Sequence, residues 1–342
     1  MLFKKSIPPK ISLCIPVHNT EKHLGRCLKS IAAQDFSDCE VVLINDCSTG
    51  KDEAGRGCKK IARDFQKISK IPVVYIEHFS YVPLLETRRE LVEQAHGEYI
   101  LMIDSDDFLE KSAIQKLYDS AVESGADITC GQDRVYKIID GQIFISEKRF
   151  AVHKEGEIIG RDILDSWLIE RTTSAFLWAK LIKRELYLQA FDSIPYMDCS
   201  LSVDTPMYFF IAYYAKSYYG IKDVVYYYQE NEGITANKEI TEMSSWKRNC
   251  TIASTFSLLL TFDGNLSEQE KDSIRKLSRH FLRNTILKLR NNVVPELREE
   301  AYKLLCEYWG EGYVKTIETV LDKESNNSAV VSTSSTTVPF SK

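Results

Sequence analysis

The fold of this chain is decided by one stretch, Ile100-Leu101-Met102-Ile103-Asp104-Ser105-Asp106-Asp107. Its four apolar residues, which follow Gly97-Glu98-Tyr99, are typical of a strand that is buried on both faces. Three carboxylates come directly after the strand, and they repel one another unless a cation neutralises them. Hard cations such as Mg²⁺ and Mn²⁺ prefer oxygen ligands. The stretch therefore predicts a metal site at a strand end, with a solvated acidic turn before a helix as the alternative.

The composition is that of an ordinary globular protein, with 342 residues, 44% of them hydrophobic and 27% charged. This length allows one large α/β domain and a smaller second unit. The net charge of -5 gives no reason to expect a nucleic-acid partner. The sequence predicts neither a secretory leader nor a membrane span. Nine scattered cysteines without a metal-binding spacing predict reduced, buried thiols in a cytoplasmic protein.

Strand and helix patterns alternate along the first part of the chain. Apolar runs predict five strands, at 11–17, 39–44, 72–76, 100–103 and 126–130. Helical periodicity fills the segments between them. This βαβαβαβαβ order predicts an α/β fold with a doubly wound, mostly parallel sheet and helices on both faces. Asp140-Gly141 predicts a hairpin, and the sequence beyond residue 240 predicts helices.

The predicted strand ends carry polar and acidic residues in place of phosphate-binding glycines. The turn after the first strand, Pro16 to Thr20, has no glycine, which excludes the Rossmann dinucleotide motif. Gly50-Lys51 lacks the spacing of a P-loop. The first three candidate site residues instead follow two neighbouring strands and are His18, Asn19 and Asp46. Because ligands of open α/β sheets bind beyond the carboxyl ends of the strands, these residues and the carboxylates are expected to line one crevice.

This combination resembles the family 2 glycosyltransferases of the GT-A fold, which transfer sugars from nucleotide diphosphates with inversion. The resemblance covers most of residues 11–240. It rests on four motifs that occur in the right order, Pro16-Val17-His18-Asn19, Asn45-Asp46-Cys47-Ser48, Gly97-Glu98-Tyr99 and Asp104-Ser105-Asp106-Asp107. It implies that Pro16, His18 and Asn19 help to hold the nucleotide, and that Asp46 accepts a hydrogen bond from the base, usually uracil.

The acidic motif has further implied roles. Asp104, with Ser105, would face the ribose and diphosphate, and Asp106 would ligate Mn²⁺ or Mg²⁺. Asp107 would either orient its neighbours or cap a helix. Arg88 matches an arginine of the family and would offer charge to the diphosphate. The loop at 80–89 lacks the asparagine and glycine usual in the family, and an ion pair of Arg88 with Glu86 or with a neighbour of Glu90 is the alternative role.

The acceptor side of the resemblance begins at 175–184, which looks like the family's Trp-x-Lys-Leu segment. Val203-Asp204 stands where the family commonly has Glu-Asp. The resemblance makes Asp204 the general base, whereas the residues alone would favour a helix N-cap. The segment 226–235 resembles the family's closing strand and loop, with Gln229-Glu230 in place of the usual basic residue.

We therefore expect an N-terminal extension at 1–10 and a glycosyltransferase domain at 11–240. Its nucleotide-sugar half would span about 11–132 and its acceptor half about 133–240. A helical region would follow at 241–323, and a disordered tail at 324–342, which is rich in Ser, Thr and Asn.

The expected activity is that of a metal-dependent inverting glycosyltransferase. It would transfer sugar from a UDP-sugar to a hydroxyl of a glycan or lipid-linked glycan in cell-surface polysaccharide synthesis. A sugar nucleotidyltransferase is one alternative, although the chain lacks the glycine-rich, arginine-containing loop of those enzymes. A catalytically inactive sugar-nucleotide-binding protein is the other, favoured by the altered loop at 80–89 and by Val203.

The stretch 271–290 reverses the acidic character of the chain, with seven basic residues against one acid. Its apolar residues fall at helical spacing, which predicts a basic amphipathic helix. Such a helix either packs on the rest of the protein or makes peripheral contact with the inner face of the cell membrane, where anionic lipids attract Lys and Arg.

Overall fold

The computed structural model describes residues 8–230 and 239–333, which form two compact units, one on each side of the gap. In the first unit, one sheet contains ten strands: β1 Ile11–Val17, β2 Cys39–Asp46, β3 Val73–His78, β4 Tyr99–Met102, β5 Phe108–Leu109, β6 Ile128–Ile139, β7 Gln142–Ile145, β8 Gly156–Ile159, β9 Lys180–Lys183 and β10 Ser217–Gln229. The helices of this unit are α1 Glu21–Ala32, α2 Cys58–Ile68, α3 Leu84–Gln94, α4 Ala113–Ser124, α5 Asp162–Leu168, α6 Arg184–Ser193 and α7 Asp204–Tyr214.

The strand order is β3-β2-β1-β4-β9-β6-β10-β5. The first four strands are parallel neighbours, as are β6 and β10, and β9 runs antiparallel between the two groups. Alternate residues of β1 face opposite layers. Leu13 packs in the cluster with α1, α2 and α4, whereas the Cys14 thiol lies against the carbonyl of Leu91 in α3. The predicted α/β fold with a mostly parallel sheet is confirmed.

The decisive strand β4 is buried along its whole length, as its apolar run predicts. It begins beside Gly97, where a Cβ atom would lie 2.6 Å from the backbone nitrogen of Ser12. Only glycine leaves room for this close approach of two chain segments. The acidic turn that follows runs into strand β5, and α4 begins only at Ala113. No helix therefore starts at Asp107, and the alternative of an Asp107 helix cap is wrong.

The hairpin predicted at Asp140-Gly141 is confirmed. Strands β6 and β7 pair across it, with Ile139 opposite Gln142. Both turn residues have positive φ, 50° for Asp140 and 76° for Gly141. This backbone suits the two-residue turn that follows the twist of a hairpin, and Asp and Gly tolerate it better than most residues.

The second unit is helical, as predicted. Its α-helices within 239–333 are α8 Met243–Cys250, α9 Ile252–Thr261, α10 Glu268–Asn292, α11 Arg298–Trp309 and α12 Glu311–Thr333. Trp246 lies fully buried in its core and donates from Nε1 to the carbonyl of Ala301 over 2.8 Å. Helix α10 begins with a capping box formed by Ser267 and Glu270, which satisfies two backbone N–H groups.

Helix α12 is described as far as Thr333, and residues 334–342 lie outside the described part of the chain, so the disordered tail expected at 324–342 stays a prediction. The closing-loop residues 231–235 also lie outside it, and the predicted boundary at 240 stays a prediction. None of the described helices is long and apolar enough to cross a membrane. All nine cysteines are free thiols, seven of them buried.

Candidate functional site

The acidic turn after β4 is held by two groups from β10 and one from the loop between β1 and α1. The backbone N–H of Asp104 donates to the hydroxyl of Tyr226 over 3.0 Å. The hydroxyl of Ser105, which is buried, lies 2.6 Å from that of Thr20 and so joins the turn to the end of β1. One oxygen of the buried Asp107 carboxylate accepts from the backbone N–H of Gln229 over 2.7 Å. This bond ties Asp107 to β10, which is consistent with the first of its two predicted roles.

The carbonyl of Asp106 is the centre of a buried network that the sequence did not predict. Arg26 donates to it over 2.9 Å, and the hydroxyl of Tyr136 lies 2.6 Å from it. Both groups also bond to Oε1 of Gln229. The residues come from α1, β6 and β10 and are more than 90 positions apart, so no local pattern could have indicated the network. It fixes the backbone that presents the Asp106 side chain.

Arg88 joins the two predicted halves of the site. Its guanidinium is buried and donates to Asp104 over 3.1 Å and to Asp204 over 2.6 Å. Burial lowers the pKa of Arg88, but the two carboxylates outweigh this effect and raise it. The alternative pairing of Arg88 with Glu86 or beside Glu90 is wrong. Arg89 is the residue that pairs with Glu86. The charge of Arg88 is therefore shared between two carboxylates before any diphosphate arrives.

Asp104 is electrostatically strained. Burial raises its pKa, Arg88 lowers it, and the nearby Asp204 and Asp106 raise it again, to about 6. Burial and the same acidic neighbours raise the pKa of Asp107 well above its usual range. Additional positive charge would relieve this repulsion. Because carboxylate oxygens suit Mg²⁺ and Mn²⁺, the turn fits a divalent cation, with Asp106 as the predicted ligand.

Donor atoms of His18, Asp46 and Cys47 lie within 4.8 Å of one another. Nδ1 of His18 lies 2.7 Å from the carbonyl of Asp46. Oδ1 of Asp46 accepts from the backbone N–H of Val82 over 3.0 Å and lies 3.0 Å from Nδ1 of His78. Nδ1 of His18 and Oδ1 of Asp46 therefore already have partners within the protein.

Four of the residues predicted to hold the nucleotide, Pro16, His18, Asn19 and Asp46, lie at or just beyond the carboxyl ends of β1 and β2. Pro16 lies within β1 beside Ile44. Asn19 has a positive φ of 56°, and its side-chain oxygen accepts from the backbone N–H of Thr49 over 2.9 Å. Its own N–H donates to Ser48 over 3.0 Å. Asn19 therefore ties the two strand ends together, and with His18 and Asp46 it forms one edge of the crevice.

Asp204 is the first residue of α7, and Val203 occupies the N-cap position. Its Oδ1 accepts from Arg88 and from the backbone N–H of Leu177 over 3.3 Å. The N-cap role that the residues alone would favour is therefore wrong for Asp204. The carboxylate is directed to Arg88 and to the loop that precedes β9.

Lys180 supports this loop and was missed as a functional residue, although it belongs to the Trp-x-Lys-Leu segment. Its side chain is fully buried, donates to the carbonyl of Phe176 and lies 5.0 Å from the ring centre of Tyr208. Burial lowers the pKa of Lys180. Since Leu177 follows Phe176 directly, Lys180 holds the backbone whose next N–H group binds Asp204.

A family model described as glycosyl transferase family 2 matches residues 12–196. Glycosyltransferase GlyG of Streptococcus pneumoniae serotype 4 is 29% identical over 181 residues, which cover 52% of this chain and 58% of GlyG. The chain thus spans less than two thirds of that relative.

Two solved structures show the same fold. S. aureus TarS 1-349 in complex with UDP has a TM-score of 0.58 at 20% identity, over 90% of this chain and 83% of that one. The mannosyltransferase PcManGT from Pyrobaculum calidifontis, in complex with GDP-Man and Mn²⁺, has a TM-score of 0.52 at 12% identity, over 92% and 87% of the two chains. Together with the family match over more than half of its length, these findings show that the chain belongs to glycosyl transferase family 2.

Proposed function

We propose that the chain is a metal-dependent inverting glycosyltransferase that uses a UDP-sugar and transfers the sugar to a hydroxyl of a glycan or lipid-linked glycan. The acceptor would belong to a cell-surface polysaccharide. The observation that carries the proposal is the buried Arg88, which joins Asp104 of the donor side to Asp204 of the acceptor side. The UDP in the structure of TarS supports the choice of nucleotide.

On the donor side, His18, Asn19 and Asp46 would hold the nucleotide, with the Asp46 carboxylate accepting from the base. Asp104 would face the ribose and diphosphate, and Asp106 would hold Mn²⁺ or Mg²⁺. When bound, the ion would supply positive charge to offset the negative charge on the leaving diphosphate. The Arg26 and Tyr136 contacts to the Asp106 carbonyl keep this ligand in place.

On the acceptor side, Asp204 would take the proton from the attacking hydroxyl. Inversion requires this base on the face of the sugar opposite the leaving nucleotide. Arg88 and the N–H of Leu177 both donate hydrogen bonds to Oδ1 of Asp204, and these two bonds orient the carboxylate. The two carboxylates would thus have different roles, Asp104 at the diphosphate and Asp204 at the acceptor. The guanidinium of Arg88 lies between them and pairs with both.

The metal role is tested by Asp106→Asn, which removes one negative charge from the proposed ligand. We expect UDP affinity in the presence of Mn²⁺ to fall about tenfold or more, because a phosphate-bridging ion contributes several kcal/mol. Calorimetric titration of UDP with Mn²⁺ and with EDTA measures this effect. Asp119→Asn, an exposed Asp on α4, is the matched control. UDP binding that is independent of metal and unchanged in Asp106→Asn would contradict the role.

A peripheral membrane contact through 271–290 is a separate proposal. Four of the seven basic residues lie in ion pairs, which are Lys271 with Glu268, Lys276 with Asp272, Arg283 with Glu324, and Arg290 with Glu318 and Asp322. These pairs reduce the charge available to lipid. Each remaining Lys or Arg near an anionic surface contributes about 1 kcal/mol, so we expect weak binding.

Sedimentation with anionic and neutral liposomes at low and high salt tests this contact. We expect binding to anionic liposomes alone, lost at high salt and in the double variant Arg275→Gln, Arg279→Gln. The control double variant Arg63→Gln, Arg149→Gln removes two exposed arginines elsewhere. Equal sedimentation with both lipids, or equal effects of the two double variants, would leave α10 with a structural role only.

A further inference from the structure

His78 is a largely buried histidine that lies between two carboxylates. It is the last residue of β3 and is the register partner of Asp46 at the end of β2. Its Nδ1 lies 3.0 Å from Oδ1 of Asp46, and its Nε2 lies 2.8 Å from Oε2 of Glu90. Its side chain is 11% exposed. Both ring nitrogens therefore face a carboxylate oxygen at hydrogen-bond distance.

This geometry selects the protonated ring. A neutral imidazole has one N–H and donates to only one of the two carboxylates, whereas an imidazolium donates to both. Burial lowers the pKa of His78, but the bonds to Asp46 and Glu90 outweigh burial and raise it above its usual value. The charged groups that act on the ring are Asp46 from β2 and Glu90 from α3. His18, after β1, lies 3.8 Å from the other oxygen of Asp46.

We propose that His78, in its protonated form, is a positioning residue for the nucleotide, which holds the Asp46 carboxylate in the orientation that receives the base. This inference rests on the proposed function. Oδ1 of Asp46 is fixed by His78 and by the N–H of Val82. Fixing one oxygen also fixes the direction of the other. The Asp46 side chain is then already ordered before the base binds, so nucleotide binding does not have to restrict its rotation.

Loss of the proton removes this support. The neutral ring presents a lone pair to either Asp46 or Glu90, and one carboxylate is then repelled. Because the pKa of His78 is raised in the folded protein, the support is complete at low pH and is lost as pH rises through that value. Nucleotide affinity is therefore expected to fall with rising pH in the range where His78 titrates.

Calorimetric titration of UDP between pH 6 and 8.5, with Mg²⁺ present, tests the proposal. The ionisation of UDP is the same for every variant, so differences between variants report the protein. At pH 6 we expect His78→Gln to bind UDP about tenfold more weakly than wild type, because a hydrogen bond to a charged group is worth about 1.5–3 kcal/mol. We also expect the variant to lose the part of the fall in UDP affinity with rising pH that comes from His78. His96→Gln, a 65% exposed histidine paired with Glu40, is the matched control and should follow wild type.

Glu90→Gln keeps the His78 ring and removes one of the two carboxylates that face it. It provides a second variant if His78→Gln does not fold. It should move the decline in affinity to lower pH, because the pKa of His78 falls without the Glu90 carboxylate. Wild-type pH profiles in both variants would overturn the role of His78 while leaving the proposed function intact. Failure of the wild-type protein to bind any nucleoside diphosphate would overturn the proposed function and the role of His78 with it.

Discussion

Asp204→Asn is expected to lower turnover by about 10²-fold or more while leaving UDP affinity close to that of wild type, the pattern of a lost general base. The amide cannot take the proton of the acceptor hydroxyl, but it has nearly the shape of the carboxylate. The residues proposed to bind the donor lie at the carboxyl ends of β1, β2 and β4, whereas Asp204, the proposed base, begins α7. Steady-state rates and UDP titration on the same preparation measure the two quantities.

The control for this variant is Asp162→Asn. Asp162 is also the first residue of a helix in the same unit, α5, and its side chain is exposed. A loss that came only from the charge at a helix N-terminus would be similar in both variants, because both remove an Asp from a first turn. Near-normal turnover of Asp204→Asn would contradict the role of Asp204 as base.

Arg88→Met is expected to destabilise the protein by about 3–5 kcal/mol near pH 7.5, the usual result of removing one partner from a buried ion pair. The variant leaves the carboxylates of Asp104 and Asp204 without the cation that they share. Urea unfolding measures the change in the free energy of unfolding, with Arg63→Met on the exposed face of α2 as the control.

The loss of unfolding free energy in Arg88→Met should be smaller at pH 5 than at pH 7.5. The pKa of Asp104 is about 6, above its usual value, so the folded protein holds this proton more firmly than the unfolded chain does. Stability therefore improves as pH falls through about 6. Without Arg88 the pKa of Asp104 rises further, and at pH 5 its carboxyl is neutral. A loss of equal size at both pH values would contradict the electrostatic role of Arg88.

The sequence predicted what depends on short stretches. The apolar run of β4 followed by Asp104, Asp106 and Asp107 placed a carboxylate cluster at a strand end, and the turn after β1 excluded a dinucleotide motif. Hydrophobic periodicity also predicted the helical second unit. These features succeed because burial and the carboxyl end of a strand impose their pattern within a few residues.

Short sequence patterns did not predict which charged side chains pair with one another. The alternative role of Arg88 was an ion pair on its own helix, with Glu86 or a neighbour of Glu90. The structure instead pairs it with Asp104 and with Asp204, which lies 116 positions further along the chain. Glu90 instead bonds to His78. Neighbours in sequence on one helix offer several equivalent pairings, and tertiary packing decides among them.

Release of nucleoside diphosphate from a panel of UDP-, GDP- and TDP-sugars shows whether the protein is an active glycosyltransferase and which nucleotide it uses. The assay compares Mn²⁺ with EDTA, and wild type with Asp106→Asn, in the presence and absence of glycan acceptors. We expect release of UDP from at least one UDP-sugar in Mn²⁺, with little or none in EDTA or in Asp106→Asn. UDP binding without release from any donor would contradict this expectation and would favour a catalytically inactive nucleotide-sugar-binding protein.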